Sequence, residues 1–163
     1  MDWYKLMIER NEWVSKNFDE DSPGAPPVQS IMGTFEELGE LSHAHLKQEQ
    51  GIRGTDEEHE LNAKDAIGDL SIYLMGVMNR TGTPREIADP KGREAWEVLL
   101  ELGAAVGTLG IRQSRYDVER IVSLSLEYCA SRGWDYEEIV CKTWEAVKKR
   151  DWKANPQDGK VNA

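Results

Sequence analysis

Apolar residues in this chain recur at the three- and four-residue spacing of an α-helix. No segment alternates apolar and polar positions with the β-branched enrichment of a strand. Clusters of Gly, Pro and Asp separate the periodic stretches, so the chain reads as helices with punctuation. The spacing predicts a first helix over 2–17, with Trp3, Leu6, Met7, Trp13 and Val14 as a partial stripe, followed by the breaker-rich segment FDEDSPGAPP. A second helix is expected over 28–48, with Val28, Ile31, Met32, Phe35, Leu38, Gly39 and Leu46 as its apolar side. After a loop at 49–56, Thr55 and Glu58 form the capping box of a third helix that runs to Asn79. TGTPREIADPKG is a further loop, with room for one short turn after Thr83-Pro84, since proline suits a first helical position. A fourth helix is expected over 93–107, carrying Trp96, Leu99, Leu100 and Val106. A fifth is expected over 118–131, carrying Ile121, Val122, Leu124, Leu126 and Tyr128 and closed by Gly133. Asp135 with Glu138 caps a sixth that ends near Trp152, and the polar tail at 153–163 is expected to be loose. These elements imply a single all-α domain over 1–152, a bundle of five to six helices. Two helical hairpins in succession hint at a repeat, but no residue-level self-similarity accompanies them.

Composition narrows the function classes. At 163 residues the chain can bury one core without disulfide staples. Lys and Arg number 20 against 30 Asp and Glu, a net charge of −10. Such an excess of acid disfavours a general nucleic-acid surface, which needs clustered cations to displace counterions. It equally disfavours an anionic membrane surface, and it suits a site that binds cations. Cys129 and Cys141 lack C-x-x-C spacing and histidine partners at zinc spacing, so they read as small apolar residues in a reducing compartment. The mixed, charged start MDWYKLMIERNEW does not resemble a signal peptide. The longest apolar run, Ile72 to Met78, is far below the ~20 residues of a membrane span. The expectation is a soluble cytoplasmic protein.

The acids are placed in a way that surface patterning does not explain. FEELGEL puts Glu36, Glu37 and Glu40 within an arc of about 100° on one side of the second helix. Like charges at those spacings repel. KDAIGDLSIYL puts Asp65 and Asp69 one turn apart on the third helix, flanked in projection by Leu61, Ile72, Tyr73 and Gly76. Carboxylates set in an apolar face are costly unless a cation pairs with them, and no Lys or Arg shares that face. A divalent ion is one solution, since Mg²⁺ and Mn²⁺ prefer carboxylate oxygens. A Lys or Arg from another helix is the other.

FEELGEL followed by KDAIGDLSIYL resembles the MazG-like all-α nucleoside triphosphate pyrophosphohydrolases, whose paired helices carry E-E-x-x-E and E-x-x-D segments. The first segment is complete in Glu36, Glu37 and Glu40; in the second, Ala66 stands where the family usually has Glu, and Asp65 is the nearest substitute. The D-A-I-G-D form is similar to phage-type members, and TWEAVKKRDWKANP resembles the family's closing segment in outline. The resemblance implies cleavage of a nucleotide between its α- and β-phosphates with Mg²⁺, and assembly as a homodimer or homotetramer. It implies Glu37, Glu40 and Asp69 as metal ligands, Glu36 as a ligand or as the group orienting the attacking water, and Asp65 as a conjectural ligand. Tyr73 is then a candidate against the base, or else a packing residue.

The remaining candidates come from charge and position. Lys47 lies one turn beyond His43 and is a candidate for a phosphate, as an alternative to a solvated lysine. His43, three residues past Glu40, is a candidate for a metal or phosphate role or a groove histidine; His45 and His59 receive no role. Lys148, Lys149, Arg150 and Lys153 form a basic patch, and Arg150 leads it because its fork suits phosphate. The same charges would also suit a helix C-terminus. Trp13, Trp144 and Trp152 are each open between core and site. Trp, Leu and Met exceed what two hairpins bury, which also points to an oligomer. Two other functions stay open: a specialised enzyme resembling phosphoribosyl-ATP pyrophosphohydrolase, and a helical module that binds nucleotide or metal without turnover.

Overall fold

A computed structural model describes residues 1–18, 27–157 and 159. The elements are α1 (Trp3–Asn17), α2 (Pro27–Gln50), α3 (Asp56–Thr81), α4 (Ala95–Arg112), α5 (Arg115–Ser131) and α6 (Tyr136–Val147), and no strand occurs among the described residues. The all-α expectation therefore stands. Residues 19–26, within the breaker-rich segment expected as a loop, lie outside the described residues. No described helix is long and apolar enough to cross a membrane.

Caps set most of the boundaries. The Asp2 side chain accepts from the Lys5 N–H and opens α1, so Asp2 caps that helix and does not begin it. The Thr55–Glu58 box opens α3. A second box, Ser114 with Asp117, starts α5 three residues before the expected Val118; the Arg112 guanidinium also holds Asp117, at 2.7 Å. α4 passes through Gly107 to Arg112, where Gln113 takes the left-handed conformation that ends it. Glycine inside a helix costs only about 1 kcal/mol, which packing outweighs.

Two expectations fail for hydrogen-bonding reasons. No turn forms after Thr83-Pro84. The N–H groups of Arg85, Ala88 and Lys91 donate instead to Glu119, Ser123 and Glu127, a row of side chains one turn apart along α5. Nor does α6 reach Trp152. It ends at Val147, and the following segment folds back: Trp152 N–H donates to Asn17 Oδ1 at 2.7 Å and Asp151 N–H to Gly159 O at 2.7 Å. Trp152 is thus tied to the end of α1, and Gly159 is tied back to Asp151.

α3 is the central element. It contacts α1, α2, α5 and α6, and α2 covers it most extensively. Its buried residues from Ala63 to Met78 occupy nearly its whole circumference, as an enclosed helix requires. At Gly68 a Cβ would sit 2.1 Å from Thr143 Oγ1, so the glycine is what lets α6 approach α3.

The apolar side expected for α2 is largely reversed. Val28, Met32, Phe35 and Leu46 are exposed, while Ser30, Gly33, Thr34, Glu37, Leu41, Ala44 and His45 face inward with Ile31. Small residues on the inner face allow close approach to α3. Thr34 satisfies its hydroxyl on Ser30 O at 2.8 Å, and His45 Nδ1 pairs with Tyr128 OH at 3.0 Å. The polar content of this face is therefore bonded, with Glu37 as the exception.

Candidate functional site

The α2–α3 hairpin places the acids. Tyr73 lies against Gly33, where a Cβ would come within 2.3 Å of the ring, and Ser30 lies against Gly76. As residue numbers fall on α2 they rise on α3, so the helices are antiparallel and Glu37 faces the turn that carries Asp69. Glu37 is buried, only 8% exposed; Asp69 is half-buried; Glu36, Glu40 and Asp65 are exposed. The expected apolar setting of both aspartates thus holds for Asp69 beside buried Ile72 and half-buried Tyr73, but not for Asp65 beside exposed Leu61.

The electrostatics bind these five groups into one set. Burial pushes the Glu37 carboxyl up to about 8, and the charges of Asp69, Glu40, Glu36 and Asp65 push the same way. Burial likewise raises Asp69 to about 6, with Asp65 and Glu40 adding to the shift and Arg150 opposing it. Burial and the neighbouring Glu36, Glu37 and Asp69 raise the Tyr73 phenol as well. None of the five acids has an ion-pair partner among the described residues; the ion pairs there join other groups. Arg150 follows α6, is exposed, and eases Asp69 only from beyond ion-pair distance. Compensation by a cation from another part of the chain is therefore partial and does not reach Glu37. The donor set, carboxylate oxygens alone, matches the preference of Mg²⁺ or Mn²⁺. Its remaining repulsion is what such an ion would remove. Among the described residues no three His, Cys, Asp or Glu groups converge closely enough to form a ready-made cage, so the acids share a face without chelating geometry.

A cavity of about 560 Å³ opens beside the acids. Glu36, Asp69 and Arg150 line it together with Tyr73, Trp13, Phe18 and Trp152, and Arg10, Ser30 and Met32 are also in its wall. Trp13 Nε1 donates to Arg150 O at 3.1 Å, and the Arg150 guanidinium stands 6.0 Å from the Trp152 ring centre. Trp13 and Trp152 are thus cavity residues. Trp144 belongs to the core, 2% exposed, with its Nε1 donating to Glu9 Oε2 at 2.9 Å.

Several candidates fall outside this cavity. Lys47 donates to Gln50 Oε1 at 2.8 Å near the far end of α2 and does not line it. His43 is exposed, and His59 is buried with its Nε2 on Ile52 O at 3.0 Å. Of the basic patch, Lys148 is engaged by Glu145, and Arg150 alone lines the cavity. Arg10 and Ser30 did not emerge from the sequence. Arg10 sits among the acids and lysines of an ordinary-looking helix, and only its burial distinguishes it.

No protein family, no curated protein sequence and no solved structure matches this chain.

Proposed function

We propose that the protein is a Mg²⁺-dependent nucleotide pyrophosphohydrolase that converts a (d)NTP and water to a (d)NMP and pyrophosphate. The observation that carries this reading is the electrostatic coupling of five acids, none with an ion-pair partner among the described residues, around buried Glu37 and beside an aromatic-lined cavity that also holds Arg150. Glu37, Glu40, Asp69 and Asp65 would hold the divalent ion, with Mn²⁺ as a substitute. When bound, the ion neutralises phosphate charge and lowers the pKa of coordinated water. The chain's own residues do the rest. Arg150 binds the phosphates, for which a guanidinium fork is suited. The aromatic rings hold the nucleoside and exclude water. Glu36, exposed at the cavity rim, orients the attacking water and accepts its proton on a carboxylate oxygen. The new bond joins the water oxygen to the α-phosphorus, and the bond to the bridging oxygen breaks as pyrophosphate leaves. We place the activity in the cytoplasm, where both cysteines would stay reduced; neither is in a disulfide in the fold.

Pyrophosphate release from a panel of NTPs and dNTPs, with Mg²⁺, with Mn²⁺ and with chelator, tests the reading. Metal-dependent release from at least one nucleotide is the expected result. Metal-induced stabilisation with no release from any of them would overturn it in favour of a module that binds without turnover.

We further propose that the chain works as a homodimer or homotetramer. Trp96, Leu100 and Ile111 follow one side of α4, the last two 70% and 85% exposed, and Met32 and Phe35 on neighbouring α2 extend the apolar surface. Large apolar side chains exposed along two neighbouring helices are what a subunit interface would cover. Sedimentation at micromolar concentration is expected to give two or four chain masses; the mass of one chain would remove the idea.

A further inference from the structure

Among the described residues, Arg10 is a buried cation without a counter-charge. Its side chain is 95% buried (5% exposed), and no carboxylate pairs with it among the described residues. Nε has no hydrogen-bond partner, and Nη2 makes one long bond, 3.4 Å, to Ser30 Oγ. Burial lowers its pKa to about 10. An unpaired guanidinium inside a protein is costly and calls for a ligand. Its position is held firmly: a Cβ on Gly76 would lie 2.8 Å from Cζ, so the absence of a side chain there is what admits the group between α1, α2 and α3.

The cavity has two distinct ends. Asp69, Tyr73 and Gly76 follow one side of α3, and the rise from Asp69 to Gly76 is about 10 Å. Glu37, Gly33 and Ser30 retreat in parallel along α2. The acids and Arg150, with Trp13 and Trp152 against Arg150, therefore occupy one end and Arg10 the other, with Tyr73 between them along α3. A nucleotide with its phosphates among the acids carries its base toward Arg10. A guanidinium offers donors only, in a fork that matches two adjacent acceptors. On guanine, O6 and N7 form such a pair; on adenine, the amino group beside N7 would set a donor against a donor.

We propose that Arg10 reads the O6/N7 edge of guanine, so that guanosine or deoxyguanosine triphosphate is the preferred substrate. This inference rests on the pyrophosphohydrolase reading for its substrate, but its binding part can be tested separately. Release kinetics would be compared for GTP, ATP, CTP, UTP and 7-deaza-GTP, which lacks only the N7 acceptor. The wild-type kcat/KM is expected to favour GTP over ATP by about 10–100-fold, the scale of one bidentate base contact, with 7-deaza-GTP between them. Arg10→Lys, which retains the charge and loses the fork, is expected to remove both preferences. A merely structural Arg10 would lower all nucleotides equally. Equal rates for GTP, ATP and 7-deaza-GTP in the wild type, or a preference for CTP, would overturn the inference without needing the variant. Quenching of tryptophan fluorescence by GMP and AMP separates the two readings. GMP-selective binding that Arg10→Lys abolishes, without pyrophosphate release, would uphold Arg10 and sink the hydrolase. Release without base preference would do the reverse, and neither binding nor release would sink both.

Discussion

Replacing Glu37 by Gln is expected to lower metal-dependent pyrophosphate release by at least about 10²–10³-fold, the scale of losing one electrostatic stabiliser in a site, while making the metal-free protein more stable. Both effects have one cause. Glu37 is the most buried of the five acids, and all four others raise its pKa. Above about pH 8 the wild-type side chain carries a charge that its surroundings oppose. Gln keeps the shape and removes the charge, so the melting temperature should rise at alkaline pH and change little at acid pH. Function and stability trade off at such sites. Glu40→Gln should also abolish metal-dependent activity and leave the fold intact. It should stabilise less, because Glu40 is exposed. Unchanged turnover in Glu37→Gln would move the site elsewhere in the molecule.

Without divalent ions, stability is expected to fall between about pH 5 and pH 8.5, and divalent ions should reverse that fall. The sign follows from the direction of the shifts. Folding raises Glu37 to about 8 and Asp69 to about 6, so the folded chain holds protons that the unfolded chain has released. The stability of these protonated groups is fully present below their ordinary carboxylate values and is lost as pH rises through the raised ones. A divalent ion binds the ionised form, so its effect grows over the same interval. Mg²⁺ at a hundred times its dissociation constant adds about 2.7 kcal/mol, or about 5–10 °C in a chain of this size, at pH 8.5. At pH 5.5 the gain should be much smaller. Thermal melts across pH, with Mg²⁺ and with chelator, measure both effects. A flat profile together with no Mg²⁺ response at pH 8.5 would separate the acids from any cation.

The Glu36, Glu37, Glu40, Asp65 and Asp69 set was legible in the sequence because helical periodicity is local: residues three and four apart share a side whatever surrounds them. The same locality made the Thr55–Glu58 box readable, since both partners lie within one turn. The outer face of α2 was not legible. Val28, Met32, Phe35 and Leu46 form a plausible buried stripe, yet the inner face is the one with Gly33, which alone admits the Tyr73 ring. Close approach to a second helix, and not hydrophobicity, chose that face. The row of N–H bonds from 85–91 onto α5 likewise depends on partners more than thirty residues away.

Sequence alone therefore determined that the chain is helical, approximately where its helices lie, and that two neighbouring helices carry closely spaced acids. Those properties follow from interactions within a turn or two of one helix. Only the tertiary structure decided that Glu37 is the buried acid of the five, that Arg150, Trp13 and Trp152 join Glu36 and Asp69 around one cavity, and that Arg10 is enclosed beside it with no counter-charge among the described residues. Burial and the juxtaposition of α1, α2, α3 and the segment after α6 are properties of packing among distant parts of the chain, and no local pattern encodes them.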